Sequence, residues 1–185
     1  MDAVPRPAPG AAIRTGVWLG IAAIAMSFAA YTSALLVRQG GAPDWRHLRL
    51  PPLLFGNTVV LLASSATLEL GRRGFGRRAP AEGRRWLRIT LGLGLLFVAG
   101  QVAAWRELAA QGVYLATNPA SSFFYVLTGL HALHLLGGIT ALGYALSRVR
   151  GPVLLPPPAL DGAALYWHFM DALWLYLLGL LVLRL

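Results

Sequence analysis

The sequence predicts an all-α fold, a polytopic membrane protein built as a bundle of five transmembrane helices. Apolar residues make up 57% of the 185 residues and charged residues only 12%, about half the ~25% of ordinary soluble domains. Each of five apolar runs has about the length of the ~20 helical residues that cross a hydrocarbon core of ~30 Å. Backbone groups in lipid find no water to bond, so such runs must be helical. The predicted helices cover residues 17–37, 51–70, 87–105, 123–146 and 163–183.

The apolar runs are separated by segments that a bilayer interior excludes. The first run follows a Pro-, Ala- and Gly-rich segment, residues 1–16, which we expect to be a flexible cytoplasmic tail. A strongly basic connection separates the second run from the third. Three consecutive prolines, Pro156–Pro158, cannot continue a helix and therefore predict a rigid turn before the fifth run. Residues 17–185 are expected to form a single transmembrane domain. The absence of cysteine excludes disulfides and thiolate metal sites.

The basic residues predict how the chain is oriented. All sixteen are arginine, and the formal net charge is +9. A cytoplasmic N-terminus places eleven arginines inside and five outside, as the positive-inside rule requires, and puts the C-terminus in the periplasm. In a soluble protein the densest cluster would suggest nucleic-acid binding, but between two spans it indicates a cytoplasmic loop, so no nucleic acid is expected as a partner. Seven arginines form this cluster: Arg72, Arg73, Arg77, Arg78, Arg84, Arg85 and Arg88.

Ionisable side chains within the apolar runs are the candidate functional groups, because they are costly in hydrocarbon. His131 and His134 lie three residues apart in the fourth run, as do His168 and Asp171 in the fifth. Each pair shares a helix face. His131, His134 and Gly138 continue one stripe, and the glycine would let a neighbouring helix approach closely. Other side chains suited to a polar or aromatic seam between helices are Asn57, Ser64, Thr67, Gln101, Trp167 and Trp174.

These histidines allow three interpretations. Haem ligation needs one histidine from each of two facing helices, which His131 or His134 could provide opposite His168. A divalent-metal site could combine the three histidines with Asp171. Alternatively, the groups are structural and hydrogen-bond across the bundle, an interpretation that overlaps with a proton relay. The residue spacing does not decide among the three.

Three segments carry a recognisable pattern: Leu50–Ser65, Thr128–Gly138 and Tyr166–Leu175. Together they resemble the cytochrome c oxidase subunit III family. Thr128–Gly138 is similar to its T-G-x-H-x-x-H-x-x-x-G signature, and Tyr166–Leu175 to its last helix, Y-W-H-F-x-D-x-x-W-L. Leu50–Ser65 resembles its P-x-x-N-T-x-x-L-L-x-S-S segment, and the likeness extends from about Trp18 to Leu183. Five predicted helices match the short bacterial form of the family. The resemblance implies structural roles for Asn57, Gln101, His131, His134, Gly138, Trp167, His168, Asp171 and Trp174.

The resemblance also implies a function. Subunit III binds neither haem nor copper; it stabilises subunit I, which holds the haem–copper site. We therefore expect a non-catalytic subunit of a bacterial terminal oxidase that reduces oxygen to water coupled to proton translocation in aerobic respiration. Subunits I and II and membrane lipids are the expected partners, phospholipid is a candidate ligand, and the inner membrane is the expected location. Two acidic positions of the family are occupied here by Ile24 and Ala104, which favours a structural role over proton collection.

Alternative functions follow from the same residues. Related short proteins associate with nitric oxide reductases or quinol oxidases. A different class of protein, a free-standing di-histidine membrane cytochrome, would carry its own haem. Haem in the isolated chain would favour the cytochrome, whereas co-purification with subunit I would favour the oxidase subunit.

Overall fold

Five α-helices account for most of the chain. The computed structural model describes residues 9–41, 43–148 and 158–185. Within them there is no strand, and each helix is long and apolar enough to cross a membrane. The helices are α1 (Pro9–Gly41), α2 (Leu53–Gly76), α3 (Pro80–Ala110), α4 (Pro119–Arg148) and α5 (Pro158–Arg184). The predicted all-α fold with five membrane-spanning helices is thereby confirmed, while the orientation of the termini stays a prediction.

The helices differ from the apolar runs mainly at their ends. α1 begins at Pro9, within the segment expected to be a flexible tail, and α3 begins at Pro80, seven residues before the third run. Helices continue past the hydrocarbon into the interface, where arginines keep their hydration, so hydropathy underestimates their length. The first eight residues lie outside the described part. So does the predicted proline turn, except for Pro158, the first residue of α5.

The last four helices, α2 to α5, form a ring, and α1 packs against its outside. α2 contacts α3, α3 contacts α4, α4 contacts α5, and α5 returns to α2. α1 packs on α4 and α5 and, among the described residues, makes no contact with α2 or α3. α5 thus has three neighbouring helices, and the side chains that it points into the ring meet those of α2, α3 and α4.

A tight hairpin joins α2 to α3 and fixes their close approach. A Cβ on Gly74 would lie 2.8 Å from the Gly83 nitrogen, so neither helix tolerates a larger residue where they meet. Phe75 is fully buried against Gly83. The Ala79 nitrogen donates to the Gly74 carbonyl at 2.9 Å and closes the turn. The seven arginines of the basic cluster are therefore carried at and beside the tip of a compact hairpin.

Candidate functional site

Two tryptophans of α5 point into the ring and hydrogen-bond to side chains of α2. Trp167 and Trp174 are two helical turns apart and fully buried. The Trp167 Nε1 donates to Ser64 Oγ at 3.0 Å, and the Trp174 Nε1 donates to Thr58 Oγ1 at 2.9 Å. Each hydroxyl in turn donates to a carbonyl of its own helix. All four polar groups are therefore satisfied where water is absent, which makes this a stabilising contact.

His131 lies at the centre of an aromatic cluster that joins three helices. Its ring centroid is 6.0 Å from that of Phe97 on α3 and 5.0 Å from that of Trp174 on α5. Phe97 and Trp174 meet edge to face at 5.0 Å. His131 is fully buried, and neither ring nitrogen has a hydrogen-bond partner among the described residues. In this arrangement the imidazole packs as an aromatic ring.

Asn57 and Gln101 are both buried inside the ring, but among the described residues only Asn57 forms a side-chain hydrogen bond to another helix. Asn57 Nδ2 donates to the Phe97 carbonyl at 2.9 Å, and the amide sits over Gly100, where a Cβ would collide with it. Asn57 therefore links α2 to α3, and the hydrogen bond to a neighbouring helix that the sequence predicts is present. Gln101 is fully buried one turn beyond Phe97, and its amide atoms have no partner in the described part of the chain.

The second histidine of α4 turns away from the ring. His134 is half-buried, its Nδ1 is 2.7 Å from the Leu130 carbonyl oxygen, and its ring meets Phe28 of α1 at 5.9 Å. The Tyr166 hydroxyl donates to the His134 carbonyl at 2.9 Å. The fully buried face of α4 passes through Leu135 instead. The predicted stripe is therefore correct at His131 and Gly138 and departs from the core at His134.

Gly138 marks the crossing of α4 and α5. A Cβ there would lie 3.2 Å from Tyr166 Cε1 and 3.6 Å from Trp167 Cε3. The close helix approach predicted for this glycine is present.

His168 and Asp171 lie on the side of α5 that faces α2. His168 is exposed, and its Nδ1 is 2.7 Å from Ser65 Oγ. Asp171 is only 5% exposed, and its carboxylate oxygens have no partner among the described residues. His131 is enclosed within the ring whereas His168 is exposed, so the structure does not gather the predicted pairs. The described residues contain no group of three or more His, Cys, Asp or Glu side chains placed to hold a metal.

A charged network closes one end of α2 and α5. Glu69 accepts from Arg72 at 3.3 Å and from Arg73 at 3.2 Å, and Arg72 also donates to Asp161 of α5 at 3.0 Å. The ion pair across the two helices fixes the ends of α2 and α5 relative to each other.

Sequence reasoning missed three contributors to this seam. Phe97 was not singled out and Thr58 was known only as part of a motif, although both contact the Trp174 side chain. Tyr166 was known only as part of a motif, and its hydroxyl bonds a carbonyl of α4. A phenylalanine in an apolar run carries no distinguishing pattern, and a motif does not say which helix its residues contact. Only the packing of the helices could therefore identify these contacts.

Comparisons with known proteins agree with this architecture. A family model described as "Cytochrome c oxidase subunit III" matches residues 43–183. A protein of Mycobacterium leprae named "Probable cytochrome c oxidase subunit 3" is 34% identical over 169 residues, which cover 89% of this chain and 83% of the relative. One of the same name from Nocardia farcinica is 33% identical over 168 residues, 88% of this chain and 82% of the relative. A Synechocystis protein named "Cytochrome c oxidase subunit 3" is 33% identical over 169 residues, covering 88% and 71% respectively.

Proposed function

We propose, since this chain belongs to the cytochrome c oxidase subunit III family, that its task in the complex is structural. The chain is a subunit III of a haem–copper oxidase, and it is a multi-pass membrane protein of a multisubunit assembly. Its role is to stabilise the catalytic subunit rather than to carry out a redox step. The haem and copper belong to partner subunits, with subunit I as the main contact and subunit II as a further partner.

The observation that supports this proposal most strongly is that the polar side chains inside the ring contact other helices of the same chain. Trp167, Trp174 and Asn57 direct their donors to other helices of the same chain. His131 is enclosed by two aromatic rings. Groups employed in this way hold helices together. We therefore propose that the residues of the family motifs serve to pack the helices together.

Orientation and location follow the same proposal. The hairpin of α2 and α3 faces the cytoplasm, and the bilayer is the bacterial inner membrane. The arginine asymmetry supports this orientation, since short basic connections stay on the cytoplasmic side. Ile24 and Ala104 stand where acidic residues are expected from the family pattern, which supports a subunit that does not collect protons through those positions.

Affinity purification of the tagged chain from its native membrane in mild detergent tests the proposed function. We expect a haem–copper subunit I and a copper-containing subunit to co-elute, with the reduced-minus-oxidised spectrum following them rather than this chain. Membranes with the untagged chain provide the control. Elution of the chain alone with its own stoichiometric haem would contradict the proposal and identify a membrane cytochrome.

A further inference from the structure

Four arginines of the α2–α3 hairpin have no ion-pair partner in the part of the chain that the structure describes. Arg77 and Arg78 lie in the turn, and Arg85 and Arg88 follow one helical turn apart on α3. All four residues are exposed, and none of them belongs to an ion pair within the described residues. We call these four the hairpin arginines.

The hairpin carries little negative charge to balance these arginines. Glu82 is the one acidic residue between positions 72 and 88. Glu69, one turn earlier on α2, already accepts from Arg72 and Arg73. Like charges held close together repel one another and attract an external anion. The hairpin arginines therefore form a cationic surface that the described part of the chain leaves unbalanced.

Arg78 has a strained backbone conformation. Its φ is 61°, and among the described residues it is the one non-glycine residue with a positive φ. In this left-handed conformation the Cβ of an L-residue crowds the following carbonyl oxygen, so glycine is the usual residue where a helix ends in this way. Folding alone therefore favours glycine over arginine at position 78.

The turn that carries the tip arginines is tightly held. The Arg77 nitrogen donates to the Arg73 carbonyl at 2.9 Å, and the Arg78 nitrogen donates to the Phe75 carbonyl at 3.1 Å. The ring of Phe75 is in turn buried against Gly83 of α3. A backbone that is already ordered loses little conformational entropy when a partner binds. The hairpin is therefore suited to docking of a specific partner.

The tip extends to the outer limit of the lipid headgroups. The second apolar run ends at Leu70, seven residues before Arg77. Helical residues rise ~1.5 Å each, which places the turn about 10 Å beyond the hydrocarbon. A headgroup layer is only ~5–8 Å thick on each side, because a bilayer of ~40–45 Å contains a hydrocarbon core of ~30 Å. Arg77 and Arg78 are therefore presented to the aqueous phase, where a protein segment reaches them more readily than lipid phosphate does.

We propose that the hairpin arginines dock an acidic segment of a protein on the cytoplasmic side of the membrane. Carboxylates supply the complementary charge, and the planar guanidinium group of arginine binds them with two parallel hydrogen bonds. The proposal rests on the proposed orientation of the chain, but it goes beyond the packing role inside the ring. The positive-inside rule depends on the number of basic residues near the spans, so orientation does not require arginine at the strained position.

Photo-crosslinking in intact cells, followed by a binding measurement, tests this proposal. A photo-reactive amino acid replaces Ala81 of the tagged chain, an exposed residue four positions before Arg85 on α3, and the crosslinked peptide is sequenced. We expect a protein segment rich in Asp and Glu. The synthetic peptide of that segment is then titrated against the purified tagged chain with its co-eluting subunits. A peptide in which Asn and Gln replace every Asp and Glu is measured beside it.

Arg78→Gly is the most informative variant, because charge and strain predict opposite effects. The dissociation constant of the acidic peptide should rise about three-fold, as expected for the loss of one exposed ion pair. The thermal midpoint of the chain should not fall, since glycine adopts the left-handed conformation without strain. Adding Arg85→Gln should weaken peptide binding further. Arg106→Gln, an exposed arginine near the other end of α3, is the matched control and should bind the peptide like wild type.

Absence of a crosslink, crosslinks to lipid alone, or a crosslinked segment without an excess of acidic residues would overturn the proposal. Equal affinity of wild type and Arg78→Gly for the acidic peptide, or equal affinity of wild type for the two peptides, would also overturn it. Co-elution of subunit I is recorded in the same purification. Subunit I can co-elute without a crosslink at Ala81, and the crosslink can form without subunit I. Failure of this proposal is therefore distinguishable from failure of the proposed function.

Discussion

At the scale of single residues, Trp174 shows how a buried polar group is accommodated in this bundle. Its indole N–H donates to Thr58 Oγ1 of α2, while its ring contacts His131 of α4 and Phe97 of α3. One side chain on α5 thus meets the three other helices of the ring. Hydrocarbon offers no alternative partner for the N–H, so the hydrogen bond also specifies how α5 is rotated against α2.

Replacing Trp174 by Phe separates the hydrogen bond from much of the aromatic packing. We expect a loss of about 1 kcal/mol in the free energy of unfolding, because the donor to Thr58 disappears while an aromatic ring remains beside His131. Thermal unfolding of the purified complex measures this change. Trp18→Phe is the control, since Trp18 is 54% exposed. Equal midpoints for Trp174→Phe and wild type would show that the indole hydrogen bond contributes nothing.

At the scale of the elements, the crossing of α4 and α5 depends on the absence of a side chain. Gly138 faces Tyr166 at a distance that leaves a Cβ little room, whereas nothing lies within 4 Å of a Cβ built on Gly143 of the same helix. Helices in lipid gain little from the hydrophobic effect and rely on close packing. The two glycines therefore differ in consequence although they look alike in the sequence.

Gly138→Leu is expected to push α5 away from α4 and reduce assembly of the oxidase several-fold. The haem spectrum of whatever assembles should be normal. Gly143→Leu, the same change on an open part of α4, should assemble like wild type. Quantitative immunodetection of the assembled complex on native gels, normalised to the total chain, measures both. Equal assembly of the two variants would show that the crossing does not control assembly.

At the scale of the whole molecule, orientation is the property that the helix packing leaves undetermined. A bundle packs identically whichever end faces the cytoplasm, so the prediction depends on the distribution of the arginines and on the resemblance to the family. The α2–α3 hairpin holds seven of the sixteen arginines, and the connection between α3 and α4 lies at the opposite end of the bundle.

The absence of cysteine makes the orientation directly measurable. Cysteine introduced at Ala116, in the exposed connection after α3, should react in intact cells with a maleimide that cannot cross the membrane. Cysteine at Ala81, exposed at the start of α3, should react only after lysis. The reverse pattern would establish the opposite orientation, and the cysteine-free parent chain reports background labelling.

The sequence predicted the number of helices because crossing a bilayer imposes a minimum apolar length on each. It did not predict where α1 and α3 begin, since the interface tolerates both helical and irregular backbone. The His131–His134 pair shares a broad face of α4, as expected, but residues three apart are rotated relative to each other. That rotation is enough to bury one ring beside Trp174 and to turn the other towards α1.

The sequence predicted which polar side chains lie between the helices, but it did not predict which groups they hydrogen-bond. Asn57 and Ser64 were expected to bond a neighbouring helix, and both do. The partner helix and the partner atom of each hydrogen bond depend on the rotation and depth of α3 and α5. These follow from packing over the whole ring. Gln101 carried the same expectation, yet it has no partner within the described residues.

The position of α1 outside the ring has a consequence for synthesis in the cell. Its described contacts are with α4 and α5, which follow α2 and α3 in the chain, so α1 is made well before either helix that it packs against. Two features of α1 suit it to a lipid environment before α4 and α5 are in place. Its apolar segment has the highest mean hydropathy of the five spans, 1.8, and Ser27 and Thr32 each donate to a carbonyl of α1 itself, both at 2.9 Å. α1 is thus made before the two helices that it contacts, and its polar side chains have hydrogen-bond acceptors within α1 before those helices are in place.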